Sequence, residues 1–197
     1  MKLALFGYGG HAREVAKQIE SVNVGNKVTF FVDDNYANDV ALPISKFDVN
    51  EYCMMVAVAD SRNRMDIVNR LSKDTNYFTF IHPTAMILDT NIVIGQGSFI
   101  GAHSILTTNI TIGNHAILNR GNQIGHDCKI GNYFSAMPGS IVSGNVTIYD
   151  LVYLGTNSSI KEKLSIHSLT TIGLNSAVVK SIEETGIYAG NPAKKIK

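Results

Sequence analysis

The sequence predicts a small α/β unit followed by an all-β domain wound as a parallel β-helix. Two observations carry this: strands alternate with helices over the first third, and from Leu88 to Val178 every sixth residue is aliphatic. The sixteen positions are Leu88, Ile94, Ile100, Leu106, Ile112, Leu118, Ile124, Ile130, Ala136, Val142, Ile148, Leu154, Ile160, Ile166, Ile172 and Val178. Even if half of all residues were apolar, such a run would arise about once in 65,000 trials per register. Two residues earlier the side chain is small or aliphatic in thirteen of fifteen cases, and glycine follows the aliphatic residue in seven of sixteen. A six-residue period fits neither an α-helix nor a hairpin array; it fits short strands joined at corners and coiled. The aliphatic residue then points inward and stacks on its equivalents in adjacent coils. Small residues leave it room, and the glycines permit corner angles that a Cβ disfavours.

Ahead of the repeat, Leu3 to Phe6 reads as a short apolar strand. The turn Gly7-Tyr8-Gly9-Gly10-His11-Ala12 leads into a helix from Ala12 to Glu20, with Val15, Ala16 and Ile19 on one face. A second strand spans Val28 to Val32 and ends in Asp33-Asp34. A third runs from Met54 to Val58, then a helix from about Asn63 to Leu71 and a short strand from Tyr77 to Phe80. Strand alternating with helix means a parallel sheet, about half of a doubly wound, Rossmann-like fold. The boundary is set at 81/82. The turn has the form G-x-G-x-x-A, which lets backbone approach a phosphate at a helix N-terminus, while the acidic pair can accept from a ribose or a base. A sheet this small suits a mononucleotide better than a dinucleotide.

Charge excludes nucleic acid as a partner: residues 1–81 carry 9 basic and 10 acidic side chains, residues 82–197 carry 8 and 6. Lys194, Lys195 and Lys197 are the one local basic cluster. Cys53 and Cys128 read as thiols in a reducing compartment. Without a signal peptide or a run long enough to span a membrane, the expected location is cytoplasmic.

Of six histidines, His82 opens the segment leading into the coil, His11 sits in the glycine turn, and His103, His115 and His167 read as ordinary surface residues. His126 differs. It lies on a corner, is followed by Asp127, and 18 residues on comes Gly144. The repeat resembles the left-handed β-helix of hexapeptide acyltransferases, in which three hexads make a coil of 18 residues; with neighbouring strands about 4.8 Å apart, that resemblance puts the Gly144 N–H beside the imidazole. A base near neutral pKa and a backbone donor for an oxyanion suit acyl transfer. A metal hydratase would need three convergent histidines, which the spacings of His103, His115 and His126 do not reproduce.

Gly7 to Ala12, Asp33-Asp34, Asn63-Arg64, His82-Pro83-Thr84-Ala85, Gly125-His126-Asp127-Cys128, Pro138-Gly139, Ser143-Gly144-Asn145-Val146 and Gly190-Asn191-Pro192-Ala193-Lys194 occur in this order. Together they resemble the sialic-acid O-acetyltransferase and nucleotide-amino-sugar N-acetyltransferase family. The resemblance implies a left-handed β-helix that trimerises and holds acetyl-CoA, with a Rossmann-like domain for the nucleotide-linked sugar, and no metal. It implies that His126 is the general base, Asp127 its acidic neighbour, Asn119 the residue orienting it, and Gly144 the contact at the acetyl group. Gly7, Gly9, Gly10, His11, Asp33, Asp34, Asn63 and Arg64 match the sugar-nucleotide pocket; Gly144, Gly155, Gly173, Pro192 and Lys194 match the acetyl-CoA site. Serine stands at Ser135, where the family often has a histidine near the acetyl carbonyl. The expected activity is N-acetylation of a nucleotide-activated amino sugar, such as a 4-amino-4,6-dideoxyhexose for a bacterial surface glycan. O-acetylation of a sugar or sialic acid and a non-catalytic nucleotide-sugar-binding protein are the rivals.

Overall fold

The computed structural model describes residues 1–22 and 27–197. In the first unit β1 (Lys2–Phe6), β2 (Thr29–Val32), β3 (Ala41–Pro43) and β4 (Tyr52–Val56) form a parallel sheet in the order β3-β2-β1-β4. The period-two alternation of side chains places a helix on each face. Leu5 and Met55 pack with Ala12, Val15, Ala16 and Ile19 of α1 (Gly10–Val22), while Ala4, Phe6, Met54 and Val56 pack with Ile67 of α2 (Ser61–Arg70). Asp60 caps α2, its Oδ1 accepting the Asn63 N–H at 2.8 Å. The strand expected at Tyr77 to Phe80 splits: Tyr77 bridges to Met54, but Phe80–Ile81 pair with Phe99–Ile100 and begin the coil.

The remainder is a left-handed β-helix of three parallel sheets. One face begins at Phe80–Ile81, the next at Met86–Ile87 and the last at Val93–Ile94. Residues 18 apart pair, as Ile124 with Val142 and Ile130 with Ile148. The inward column from Ile94 to Val178 is buried except at its open first end. Where that column holds the small Ala136, the neighbouring inward site holds Phe134, so volume is conserved; both are 0% exposed. Leu88 corrects the expected run. Ile87 takes the inward place opposite Leu106, and Leu88 is 58% exposed, because one extra residue loosens the first coil, which has nothing beneath it.

The corner glycines also act differently from expectation. Left-handed backbone occurs at every sixth residue from Gly97 to Asn175, with φ between 51° and 72°, and most of these residues are not glycine. Gly95, Gly101, Gly113, Gly125, Gly131 and Gly155 lie outside that series; a Cβ on any of them would come within 2.3–2.8 Å of the next coil. They are glycines because corners stack backbone on backbone.

Phe99, Ile117 and Met137 point out of the first face and join the cluster under α1, Phe99 stacking on Phe80 at 5.8 Å. Beside this apolar seam lies Arg64, which is fully buried and corrects the expectation of a ligand contact. Its guanidinium donates to the carbonyls of Val58 and Ala59 in its own unit and of His115, Tyr133 and Phe134 in the coil, and to Ser135 Oγ at 2.8 Å. No donor is left for a substrate. Ser135 in turn donates to the Ala59 carbonyl at 2.7 Å, so this position also serves the junction.

His115 is not a surface residue either. It is 3% exposed, stacked on Tyr133 at 5.3 Å and edge-on to Tyr77 at 4.6 Å. Burial, assisted by the Arg64 charge, lowers its pKa to about 4. The unfolded chain takes up that proton below about pH 6.5, whereas the folded protein holds the ring neutral until about 4. Stability therefore falls as pH drops through this window, by on the order of 3 kcal/mol from this residue. Chemical unfolding followed between pH 6.5 and 4.5 should show a smaller loss for His115→Phe than for wild type; equal losses would refute the assignment.

Candidate active site

The second and third faces meet at an edge where Gly125-His126-Asp127 of one coil lies against Ser143-Gly144-Asn145 of the next. The Asn145 N–H donates to the His126 carbonyl at 2.7 Å and fixes the register. His126 Nδ1 lies 2.7 Å from Asp127 Oδ2, and Asp127 Oδ1 accepts from Asn109 Nδ2 at 2.6 Å. These bonds, that from Asn109 first, hold the Asp127 carboxyl below its usual range. A carboxylate on Nδ1 favours the tautomer that leaves Nε2 with a free lone pair. Nε2 stands over Gly144, where a Cβ would come within 2.5 Å of it. The Gly144 N–H donates to no acceptor among the described residues, although the Gly144 carbonyl accepts from Lys163. A base with a free nitrogen thus sits beside a free backbone donor on an exposed edge; the His126 side chain is 56% exposed.

Asn119 is not part of this group within one subunit. It is 4% exposed at a different edge, and its Oδ1 accepts the Arg120 N–H at 2.7 Å. Asp127 orients the imidazole instead. Asn109, missed in the sequence, was signalled by standing one coil before Asp127. Gly155 and Gly173 lie at the edge between the first and second faces, apart from Gly144 in a single chain. Pro192 and Lys194 are exposed on the tail, which pairs Ile187–Ala189 with Thr171–Ile172 and folds Lys194–Lys195 back on it, closing the end of the coil. His103, His115 and His126 occupy three different edges, and among the described residues no group of His, Cys, Asp or Glu is placed to hold a metal ion.

A cavity of about 340 Å³ opens at the C-terminal ends of β1 and β2, lined by Phe6, Tyr8, Gly9, Val32, Asp33, Tyr36 and Asn38. Gly7 has φ +114° and donates its N–H to the Phe31 carbonyl at 2.7 Å, turning the chain toward α1. At Gly9 and Gly10 a Cβ would meet nothing within 4 Å, and neither has a positive φ. Nothing in this chain requires glycine there, so the space above them is where a ligand would come close. Asp33 faces the cavity but forms a forked pair with Arg70, whose guanidinium lies 5.4 Å from the Phe6 ring centre. Asp34 is outside the cavity, its Oδ1 accepting the Ser45 N–H at 3.0 Å, and Asn63 is exposed on α2 without lining it. His11 lies edge-on to Phe99, its Nε2 buried without a partner and its pKa lowered by burial. The larger groove, about 450 Å³, is at the edge of His115 and Tyr77, away from His126.

Residues 2–71 match the family of PglD N-terminal domains. No curated protein sequence matches the chain. Among solved structures, WeeI from Acinetobacter baumannii AYE superposes with a TM-score of 0.90 at 27% identity, over 100% of both chains. PerB from Caulobacter crescentus, in complex with CoA and GDP-perosamine, gives 0.87 at 22% identity over 100% of this chain and 98% of that one. The acetyltransferase domain of PglB from Neisseria gonorrhoeae FA1090, in complex with acetyl coenzyme A, gives 0.70 at 25% identity over 99% and 98%. Residues 2–71 of the chain therefore match the PglD N-terminal domain and, taken whole, the chain shares its architecture with WeeI, PerB and the acetyltransferase domain of PglB.

Proposed function

We propose that the protein transfers the acetyl group of acetyl-CoA to the amine of a nucleotide-activated amino sugar. The observation that carries this is the imidazole with Nδ1 held by Asp127 and Nε2 free above the unengaged Gly144 N–H. Nε2 takes the proton that the amine loses as its nitrogen bonds to the acetyl carbon. The Gly144 N–H donates to the carbonyl oxygen as it gains charge, and the sulfur leaves with the electrons of the broken C–S bond. Asp127, kept ionised by Asn109, stabilises the imidazolium formed. Similarity to the PglB acetyltransferase domain with acetyl coenzyme A, and to PerB with CoA, supports the donor; PerB with GDP-perosamine supports the acceptor class.

The acceptor is a 4-amino-4,6-dideoxyhexose destined for a bacterial surface glycan, as the sequence resemblance implies. The nucleotide lies in the 340 Å³ cavity of the first unit with its phosphates over Gly9, Gly10 and the start of α1, beside His11. The protein is a cytoplasmic homotrimer. Gly155, Gly173, Pro192 and Lys194 of one subunit then meet the His126 edge of another, which accounts for their separation within a chain. No described helix is long and apolar enough to cross a membrane.

Steady-state kinetics with acetyl-CoA and nucleotide-linked amino sugars test this reading. His126→Ala and His126→Asn should each lower kcat by roughly 10²–10⁴-fold with little change in acetyl-CoA affinity. Gly144→Ala should be damaging too, since its Cβ would displace the imidazole. Near-normal turnover by His126→Ala would overturn the mechanism, and acetylation of a hydroxyl in place of the amine would favour O-transfer.

In the acceptor pocket, Asp33→Ala should raise the KM for the sugar nucleotide and leave that for acetyl-CoA unchanged. Asp34→Ala should change neither, because its carboxylate holds the Ser45 turn. The opposite pattern would place the nucleotide elsewhere. Sedimentation should show a trimer; a fully active monomer would contradict a site between subunits.

A further inference from the structure

We infer that the cavity of the first unit selects a nucleotide with a pyrimidine-dione base, uracil or thymine, and rejects guanine, because Arg70 occupies the carboxylate of Asp33. This rests on the reading that the cavity takes the nucleotide of the acceptor. Arg70 meets Asp33 fork to fork: Nη1 donates to Oδ1 and Nη2 to Oδ2, the latter at 2.9 Å. Paired guanidinium and carboxylate planes use both oxygens' facing lone pairs. Guanine presents a ring N–H beside an amino group, and a carboxylate recognises that edge through the same two lone pairs. To reach Asp33, guanine would have to break a charge-assisted pair and lift Arg70 from the Phe6 ring.

Beside Asp33 the lining carries the phenols of Tyr8 and Tyr36 and the amide of Asn38. Asn38 Oδ1 accepts the N–H groups of Val40 at 2.9 Å and Ala41 at 3.0 Å, which fixes the orientation of the amide and leaves Nδ2 as a donor. The cavity thus offers a donor from Asn38 and no free carboxylate. Uracil and thymine bring two carbonyl oxygens and a single ring N–H to such a lining. Guanine would bring a ring N–H and an amino group that find no charged acceptor, and unmet polar groups are what sites reject by large factors. Asp33 retains its outer lone pairs for sugar hydroxyls, so the pair serves as a base filter without losing contact with the ribose or deoxyribose.

Calorimetric titration of the intact protein with UDP, dTDP, CDP, ADP and GDP tests the inference. UDP or dTDP should bind at least about tenfold tighter than GDP, and comparing those two separates a uridine from a thymidine nucleotide. In Arg70→Ala, which frees the carboxylate, GDP should gain relative to UDP and dTDP. Arg70→Lys, which keeps the charge but not the fork, should lie between. GDP binding as tightly as UDP and dTDP to wild type, or a ratio unmoved by Arg70→Ala, would overturn the base selection while leaving the nucleotide pocket standing. Binding of no nucleoside diphosphate at millimolar concentration would remove the pocket reading itself, and this inference with it.

Discussion

Everything in the coil depends on the parallel backbone register between one turn and the next. The Gly125 N–H donates to the Val142 carbonyl at 2.7 Å, Asp127 to Thr108 at 3.1 Å and Asn145 to His126 at 2.7 Å. Because each turn repeats this pattern, Asn109, Asp127 and Asn145 form one column of left-handed residues, with the His126 ring held against Gly144. The chemistry is thereby set by main-chain bonds. Side chains need only the right identity at a position whose place is already determined, which is why a site can be built on an exposed edge with no loop to cover it.

The same register explains which parts of the sequence were legible. An inward column repeats with every hexad, so Ile94 to Val178 could be read without knowing the pitch, whereas the approach of His126 to Gly144 needed an 18-residue coil, which the resemblance supplied. Leu88 was misassigned because, at an open end, the aliphatic pattern continues by chance one residue out of step with the pairing of Ile87 and Leu106. The glycines after the aliphatic column were visible, but their cause was not: close stacking of corners depends on three-dimensional spacing, whereas left-handed φ falls at another position of the hexad.

Contacts between the two units were least legible, since sequence periodicity within each says nothing about how they dock. Arg64 looked like a ligand contact beside Asn63, yet it shares a helical face with Ser61 and Ile67, all buried, and that spacing was an available signal. An arginine in such a place is tolerated only because carbonyls from both units converge on it; their loss would leave a charge buried without partners. His115 follows from the same docking. Its edge is covered by Tyr77 and Tyr133, so an outward coil position became interior. In the cavity the acidic pair was visible but its division of labour was not, because Arg70 and Ser45 lie far along the chain from Asp33 and Asp34.

The nucleotide cavity and the His126 edge lie on different units. The junction built from Phe99, Ile117, Arg64 and Ser135 therefore decides how far a sugar anchored by its nucleotide must reach to a catalytic edge. The most direct measurement is a crystal structure of the assembled protein with acetyl-CoA or a non-reactive thioether analogue. The acetyl carbonyl oxygen should lie about 3 Å from the Gly144 nitrogen, with His126 Nε2 facing the space from which an amine attacks. An acetyl group bound at another edge, such as the groove beside Tyr77 and His115, would contradict the account.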